Sequence, residues 1–331
     1  MKMKVLHLPL EVGNQVSELC VQLRLLGVQA AGLNWRKSNY IGSGPAIVAS
    51  DAYEMANALE HLFSIYDILH YHTGYTIYPD KSDVALALHA GKKAVMHHRG
   101  NDVRHPEAAR RRNPYVYTGS SLPASQIIDQ LRYFSKHLST AIVQDYELYD
   151  YVSDYYKQVH ILPRLIDTSI VKPAVRRQER GGRPLVVHAP TSREFKGTEV
   201  VQRVVHSLQK EIPFDFVLLE RMRQKEVWQM IAQADLVIDQ VLCGAYGNIS
   251  VEAMACEVPV VCFIRPDIYA RMNPKPPIAS AHPGQLYDQL KELVKDGERR
   301  RRLGKEGRAY VQHVHEASKV ARQLTGIYQS L

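Results

Sequence analysis

The sequence is short of most features that would assign it at sight. Only four cysteines occur in 331 residues, Cys20, Cys243, Cys256 and Cys262, and none belongs to a Cys-x-x-Cys pair. That spacing excludes the usual zinc and redox motifs and leaves reduced cytoplasmic thiols as the expectation. No apolar run reaches the roughly 18 residues that would cross a bilayer. The N-terminal "MKMKVLHLPLEVGNQ" is too short and too interrupted by polar residues for a secretion signal. It reads as a first buried strand. No Gly-x-Gly-x-x-Gly follows a strand pattern, which speaks against a dehydrogenase. A Gly-x-x-x-x-Gly-Lys-Ser/Thr loop and a Gly-x-Ser-x-Gly elbow are absent too, so P-loop NTPases and serine hydrolases lack their motifs. No zinc-finger, RNA-recognition or helix-turn-helix signature supports a nucleic-acid reader.

What is present is the composition of a globular protein, 45% hydrophobic and 23% charged, with no low-complexity tract. The length suits roughly two domains. The formal net charge is +8. Nucleic acid, an anionic membrane surface and a phosphate-bearing small molecule are the partner classes such a charge fits. The runs Arg110–Arg112 and Arg299–Arg302 read as solvated helix faces.

Short β-rich runs alternate with helical periodicity. Lys4–Leu10, Tyr66–His72 and Lys93–Arg99 read as strands, and Gln15–Val28 reads as a helix ending near Gly27. "AYEMANALEHLF" and "DVALALHAG" are further helical patterns. Such alternation predicts an α/β fold with doubly wound parallel sheets. The segment 167–184, "DTSIVKPAVRRQERGGRP", has no apolar periodicity and reads as a linker. The pattern restarts at "PLVVHAP". The expected organisation is therefore a first Rossmann-like domain over 1–166, a linker over 167–184 and a second Rossmann-like domain over 185–310. A C-terminal helix over 311–331 would pack back on the first domain, and breaks are expected at Gly297 and Gly304. Ligands of doubly wound domains bind at the carboxyl ends of the strands, so an interdomain cleft is the expected site.

Two stretches carry chemistry. In "HAPTSREFKGT", Arg193 and Lys196 lie three apart between a strand pattern and a helix pattern. Two cations at a helix start suit a diphosphate. An ordinary exposed loop is the competing reading. In "GAYGNISVEAMACEVPVV", Gly244 and Gly247 precede a helix whose first amides come from Asn248, Ile249 and Ser250. Glu252 is expected in the first turn of that helix. It is either a dipole-stabilising carboxylate or a group that accepts two sugar hydroxyls. His70 and His72 share one strand face, with His97 and His98 on the next strand. A metal site there has no His-Glu-x-x-His or carboxylate cluster to support it. The tyrosine-rich stretch Tyr146–Tyr156 reads as a helix with core and surface faces.

The second stretch resembles the nucleotide-sugar-binding motif of GT-B-fold glycosyltransferases of family 4, retaining enzymes. "REFKGT" resembles their Arg/Lys diphosphate loop, and "YGNISVEAMACEVPVV" resembles the second half of their Glu-x7-Glu region. The resemblance covers nearly the whole chain and is firmest over Val186–Ile264. It implies that Glu252 holds the ribose, and that Gly247, Asn248, Ile249 and Ser250 meet the diphosphate together with Arg193 and Lys196. The first Glu of the pair falls on Gly244, where the family contacts the donor sugar. Glu257 stands where a Gly is usual. "HHRGNDVR" resembles the family's His-Gly-x-Asp-Ile-Arg stretch, with Arg99 just before Gly100 and His98 before it, so both are candidate catalytic residues. Gly13 and Asn14 correspond to the acceptor-side loop.

The resemblance implies sugar transfer from a UDP-, GDP- or ADP-sugar to an unknown acceptor. No resident cofactor is expected. No metal is expected either, because the Asp-x-Asp triplet of the metal-dependent GT-A enzymes is absent. The Gly at 244 raises the alternative of a catalytically inactive GT-B scaffold or sugar-nucleotide-binding protein. Nucleic acid is not an expected partner. A cytoplasmic protein with peripheral contact to an anionic membrane fits the basic charge.

Overall fold

The computed structural model describes residues 2–35, 44, 46–118, 122–175 and 181–331. Residues 176–180 of the expected linker lie outside the described residues. The chain divides into two compact units. One comprises Met1–His105, Ser120–Leu165 and Ala317–Leu331, and the other Pro106–Gly119 and Ile166–Glu316. Among the described residues, no helix is long and apolar enough to cross a membrane.

The first unit is built on a seven-stranded parallel sheet. Its strands are β1 (Lys4–Leu8), β2 (Gln29–Asn34), β3 (Ile47–Ala49), β4 (Ile68–His72), β5 (Lys93–His97), β6 (Thr140–Val143) and β7 (Gln158–Ile161), in the order β3-β2-β1-β4-β5-β6-β7. The winding reverses between β1 and β4, which makes their carboxyl ends the natural crevice. Register pairs His7 with His70 and His72 with His97 across neighbouring strands. The central strands are buried on both faces, as a sheet covered by helices requires. The last helix, Ala317–Ser330, places Ala317, Val320, Leu324, Ile327 and Tyr328 in the core that also holds Val16, Leu19 and Leu23.

The second unit has a five-stranded parallel sheet. Its strands are β8 (Leu185–His188), β9 (Asp215–Leu218), β10 (Leu236–Ile238), β11 (Val260–Cys262) and β12 (Ala279–Ser280), in the order β12-β11-β10-β8-β9. Here the winding reverses between β8 and β10. The expected α/β class, with two doubly wound Rossmann-like units, is what the structure shows.

Three local expectations need correction. Gly304 does not break a helix, because it lies inside the helix Gly297–Val314. A Cβ there would stand 2.2 Å from the Glu257 carbonyl oxygen, so the glycine permits a close backbone approach. The segment "AYEMANALEHLF" forms two helices, Ala52–Asn57 and Leu59–Ile65, with Ala58 between them. The segment Pro106–Gly119 falls within the expected first domain in sequence, but it groups with the second unit. There Asn113 donates its amide to the Leu242 and Cys243 carbonyls at 2.7 and 3.0 Å.

Candidate functional site

In the second unit, the site residues hang from the carboxyl ends of β8 and β10. Ser192 caps a single helical turn, Arg193–Lys196, by accepting from the Phe195 amide. Gly197, at φ 75°, ends that turn. The two cations of the turn do not converge. Arg193 is turned outward, where Glu220, Glu199 and Gln202 accept from it at 2.9, 3.0 and 2.7 Å. Lys196 is turned inward and buried, and its ammonium donates to Asp239 at 2.5 Å. Asp239 follows directly on β10. It also accepts from the Gly247 amide at 2.9 Å and the Ser250 hydroxyl at 2.6 Å. Burial acts to raise the Asp239 carboxyl, but the Lys196 charge and these hydrogen bonds hold it below the ordinary carboxylate range. Asp239 thus ties Lys196 to the start of the helix Asn248–Ala255. Sequence reading missed this residue. Its one signal was an acidic residue abutting the buried apolar run "LVI", where a strand ends at the crevice.

Gly247 is the N-cap of that helix, and a Cβ on it would come within 2.9–3.0 Å of Lys196 Nζ and Asp239 Oδ2. The amides of Asn248, Ile249 and Ser250 follow in its first turn and have no intrahelical acceptor there. Glu252 is not in the first turn, contrary to expectation, because the helix begins at Asn248 and carries no acidic residue in that turn. A dipole-capping role is therefore weak at Glu252. Its carboxylate is 7% exposed and accepts from Gln224 Nε2 at 3.2 Å. The Trp228 indole N–H is nearby but closes no hydrogen bond. Burial raises the Glu252 carboxyl above its ordinary range. A buried carboxylate so lightly satisfied has acceptor capacity to spare.

Gly244 sits at φ 87°, and its carbonyl accepts from the Arg265 amide at 2.9 Å. A Cβ there would meet Arg265 Cγ and Cδ at 2.8 and 2.9 Å. The Arg265 guanidinium is itself paired with Asp267.

In the first unit, Glu11 was also missed. Its carboxylate accepts from the amides of Val12, Val16 and Ser17 at 2.7, 3.1 and 2.7 Å. It therefore closes the start of the helix Gln15–Leu25 from within its own loop. Gly13 and Asn14 form the left-handed turn, at φ 58° and 62°, that brings Glu11 back onto those amides. His98 is 1% exposed, and both its ring nitrogens are engaged, Nδ1 with Asp102 at 2.7 Å and Nε2 with the Tyr156 hydroxyl at 2.8 Å. Arg99 is only partly buried. Its amide donates to Asp102 at 3.1 Å and its carbonyl accepts from Gln144 at 2.9 Å. Burial and the charge of Arg164 lower its pKa to about 10, against the opposing effect of Glu11.

Beneath Arg99 lies a ladder of four buried histidines. His7 stacks on His70 at 4.5 Å between ring centres and His70 on His72 at 4.4 Å, with His97 beside both. Burial lowers all four, His7 to about 3, so the rings are neutral. The ligand nitrogens of His7, His70 and His72 lie within 4.8 Å of one another, close enough on distance alone to hold a metal ion. The hydrogen bonds account for those nitrogens otherwise. Arg99 Nη2 approaches His72 Nδ1 at 3.5 Å, and an arginine can only donate. Neutral His72 then carries its proton on Nε2 and donates to His7 Nδ1 at 3.0 Å. His7 Nε2–H reaches the Tyr328 hydroxyl at 3.3 Å, and that hydroxyl donates to His70 Nδ1 at 2.6 Å. His70 Nε2–H donates to His97 Nδ1 at 3.2 Å. Each ring has one lone pair, and each lone pair already accepts a proton. His97 Nε2–H, at the end of the chain, has no partner among the described residues.

No family model and no curated protein matches the sequence. Solved structures match its fold across its length. The Anabaena protein Alr3699/HepE, solved with UDP and glucose, is 13% identical, with 99% of this chain and 100% of that one covered and a TM-score of 0.67. Sucrose-phosphate synthase from Thermosynechococcus elongatus is 10% identical, with 99% of both chains covered and a TM-score of 0.68. A glycosyltransferase from Rickettsia africae is 12% identical, with 99% and 98% covered and a TM-score of 0.68. The fold is GT-B. At these identities the likeness concerns the fold, and the chemistry rests on this chain's own residues.

Proposed function

We propose that the protein is a glycosyltransferase that moves a sugar from a nucleoside-diphosphate donor to an acceptor. The reading is of the retaining, metal-independent, family 4 kind. The observation that carries it is Glu252, a buried, lightly satisfied carboxylate one turn behind a helix start whose amides are open. That pairing suits a ribose and a diphosphate bound together. HepE, of the same fold, was solved with UDP. Asp239 offsets the charge of Lys196, so Lys196 acts mainly by fixing the helix start. Arg193 reaches the diphosphate by exchanging Glu220 and Glu199 for phosphate oxygens, and so meets the charge that grows on the leaving group. In the first unit, His98 braces the loop that carries Arg99, through Asp102 and Tyr156.

Melting curves with UDP, GDP and ADP test the reading. A nucleotide at about 100 times its Kd stabilises by about 2.7 kcal/mol. Glu252→Ala is expected to remove most of that shift. No response to any of the three nucleotides overturns the donor assignment. An unchanged shift in Glu252→Ala overturns the ribose role. Gly244, closed over by Arg265, favours a second reading as a binding protein without turnover. Nucleotide binding without release of UDP, GDP or ADP from any sugar donor, across a panel of acceptors, would decide for it.

A further inference from the structure

We propose that Arg99 is the receptor for an oxyanion, a carboxylate or phosphate group on the molecule that receives the sugar. The inference rests on the glycosyl-transfer reading and names the acceptor's chemistry.

Among the described residues, three other arginines are more buried, and each has a carboxylate against its guanidinium. Arg104 pairs with Glu147 at 2.7 Å, Arg164 with Asp145 at 3.0 Å and Arg265 with Asp267 at 2.5 Å. Arg99 has none among the described residues. Its Nε is buried and makes no hydrogen bond, and its one side-chain hydrogen bond among the described residues is the 3.5 Å approach to a neutral imidazole. The neighbouring carboxylates are already committed. Asp102 accepts from His98 and from the amides of Arg99 and Gly100. Glu11 accepts from three amides of its own loop.

The ladder below explains how such a cation is held without being neutralised. All four rings are neutral, and the order of donors and acceptors from Arg99 to His97 is fixed by the donor-only guanidinium. Protonating a ring within the chain would set two donors face to face, so the ladder keeps an acceptor turned to Arg99 and supplies no counter-ion. The chain ends on a second orphan donor, His97 Nε2–H, two residues from Arg99 on the same run of chain. Unsatisfied buried donors are costly, and a planar guanidinium fork matches an oxyanion in particular.

The test uses the full chain with 15N-labelled arginine. The Arg99 Nε–H resonance, identified by its loss in Arg99→Lys, is followed while inorganic phosphate, acetate or chloride is added at constant ionic strength. Saturable movement with phosphate, with acetate or with both is expected, and chloride is expected to do nothing. The two oxyanion arms tell a phosphate-bearing from a carboxylate-bearing acceptor. Arg99→Gln should weaken binding of the effective anion at least tenfold while leaving the UDP melting shift unchanged, which shows that the variant is folded. If neither anion moves the resonance more than chloride does, or Arg99→Gln binds as tightly as the parent, the proposal is overturned. Loss of the UDP response in the parent protein would sink the donor reading instead, and the Arg99 result would stand apart from it.

Discussion

Replacing Lys196 with Met keeps most of its bulk and removes the cation from Asp239. Both side chains are almost fully withdrawn from solvent, 8% and 1% exposed. Breaking a buried pair from one side costs about 3–5 kcal/mol, because a charge is left without its partner. Asp239 keeps two donors, the Gly247 amide at 2.9 Å and the Ser250 hydroxyl at 2.6 Å. The low end of that range, about 3 kcal/mol, is therefore expected. The pH dependence carries a sign. In the parent, the Asp239 carboxyl is held below its ordinary value. Its contribution is full above an unfolded pKa of about 3.9 and is lost as pH falls through the folded value. Without Lys196, burial dominates and the folded pKa rises above the unfolded one. The ionised carboxylate then costs stability at neutral pH, and that cost fades as the pH falls. The gap between parent and variant should narrow from pH 7 toward pH 4. Urea unfolding can be read in a Trp35→Phe background, where Trp228 is the sole remaining indole and reports the second unit. A cost below about 1 kcal/mol, or a gap that does not change with pH, refutes the assignment of Asp239 and Lys196 as a coupled buried pair.

Two further outcomes follow from the turn after the site helix. Glu257 sits at φ 56°, where the Val258 amide reaches the Ala253 carbonyl at 2.9 Å and the Glu257 amide reaches Met254 at 3.0 Å. That is a Schellman ending with a side chain at the position that favours glycine, so Glu257→Gly should gain about 0.5–1 kcal/mol in denaturant unfolding. Gly304→Ala should cost about 1–3 kcal/mol by the same measurement, because its Cβ would meet the Glu257 carbonyl at 2.2 Å and backbone must move.

Much of the fold was legible because buried parallel strands write themselves as short apolar runs between helical patterns. "ILHYH", "VVH" and "LVI" each became a strand close to where the pattern set them. The helix start at Gly247–Ser250 was legible for the same local reason. What failed was side-chain direction. Arg193 and Lys196 sit three apart on one turn, yet one meets Glu220 across the surface and the other Asp239 in the interior. Those partners lie 27 and 43 residues away, beyond what any local spacing records. Glu11 and the histidine ladder escaped for a related reason. A run such as "HLPLE" shows neither the amides that a carboxylate will reach nor the strand that will lie alongside it. Sequence placed His70 and His72 on one face. It also set His97 on the next strand, and only the strand order β1-β4-β5 added His7 to them.

Gly244 changes meaning under that same long-range order. Against the family pattern it reads as a missing carboxylate. In the structure its φ of 87° lies in the left-handed region, and its backbone bridges to Ile264 under the Arg265 side chain. A glutamate there would carry left-handed strain of about 1–2 kcal/mol and would have to displace Arg265 Cγ and Cδ from within 2.9 Å. Asn113 Nδ2, 3.1 Å from the same point, belongs to the 106–119 segment that this unit recruits. Three separate pieces of chain thus converge on a position that only glycine fills without strain. The position is therefore a closed corner, in which the side chain packed over Gly244 is Arg265, paired to Asp267.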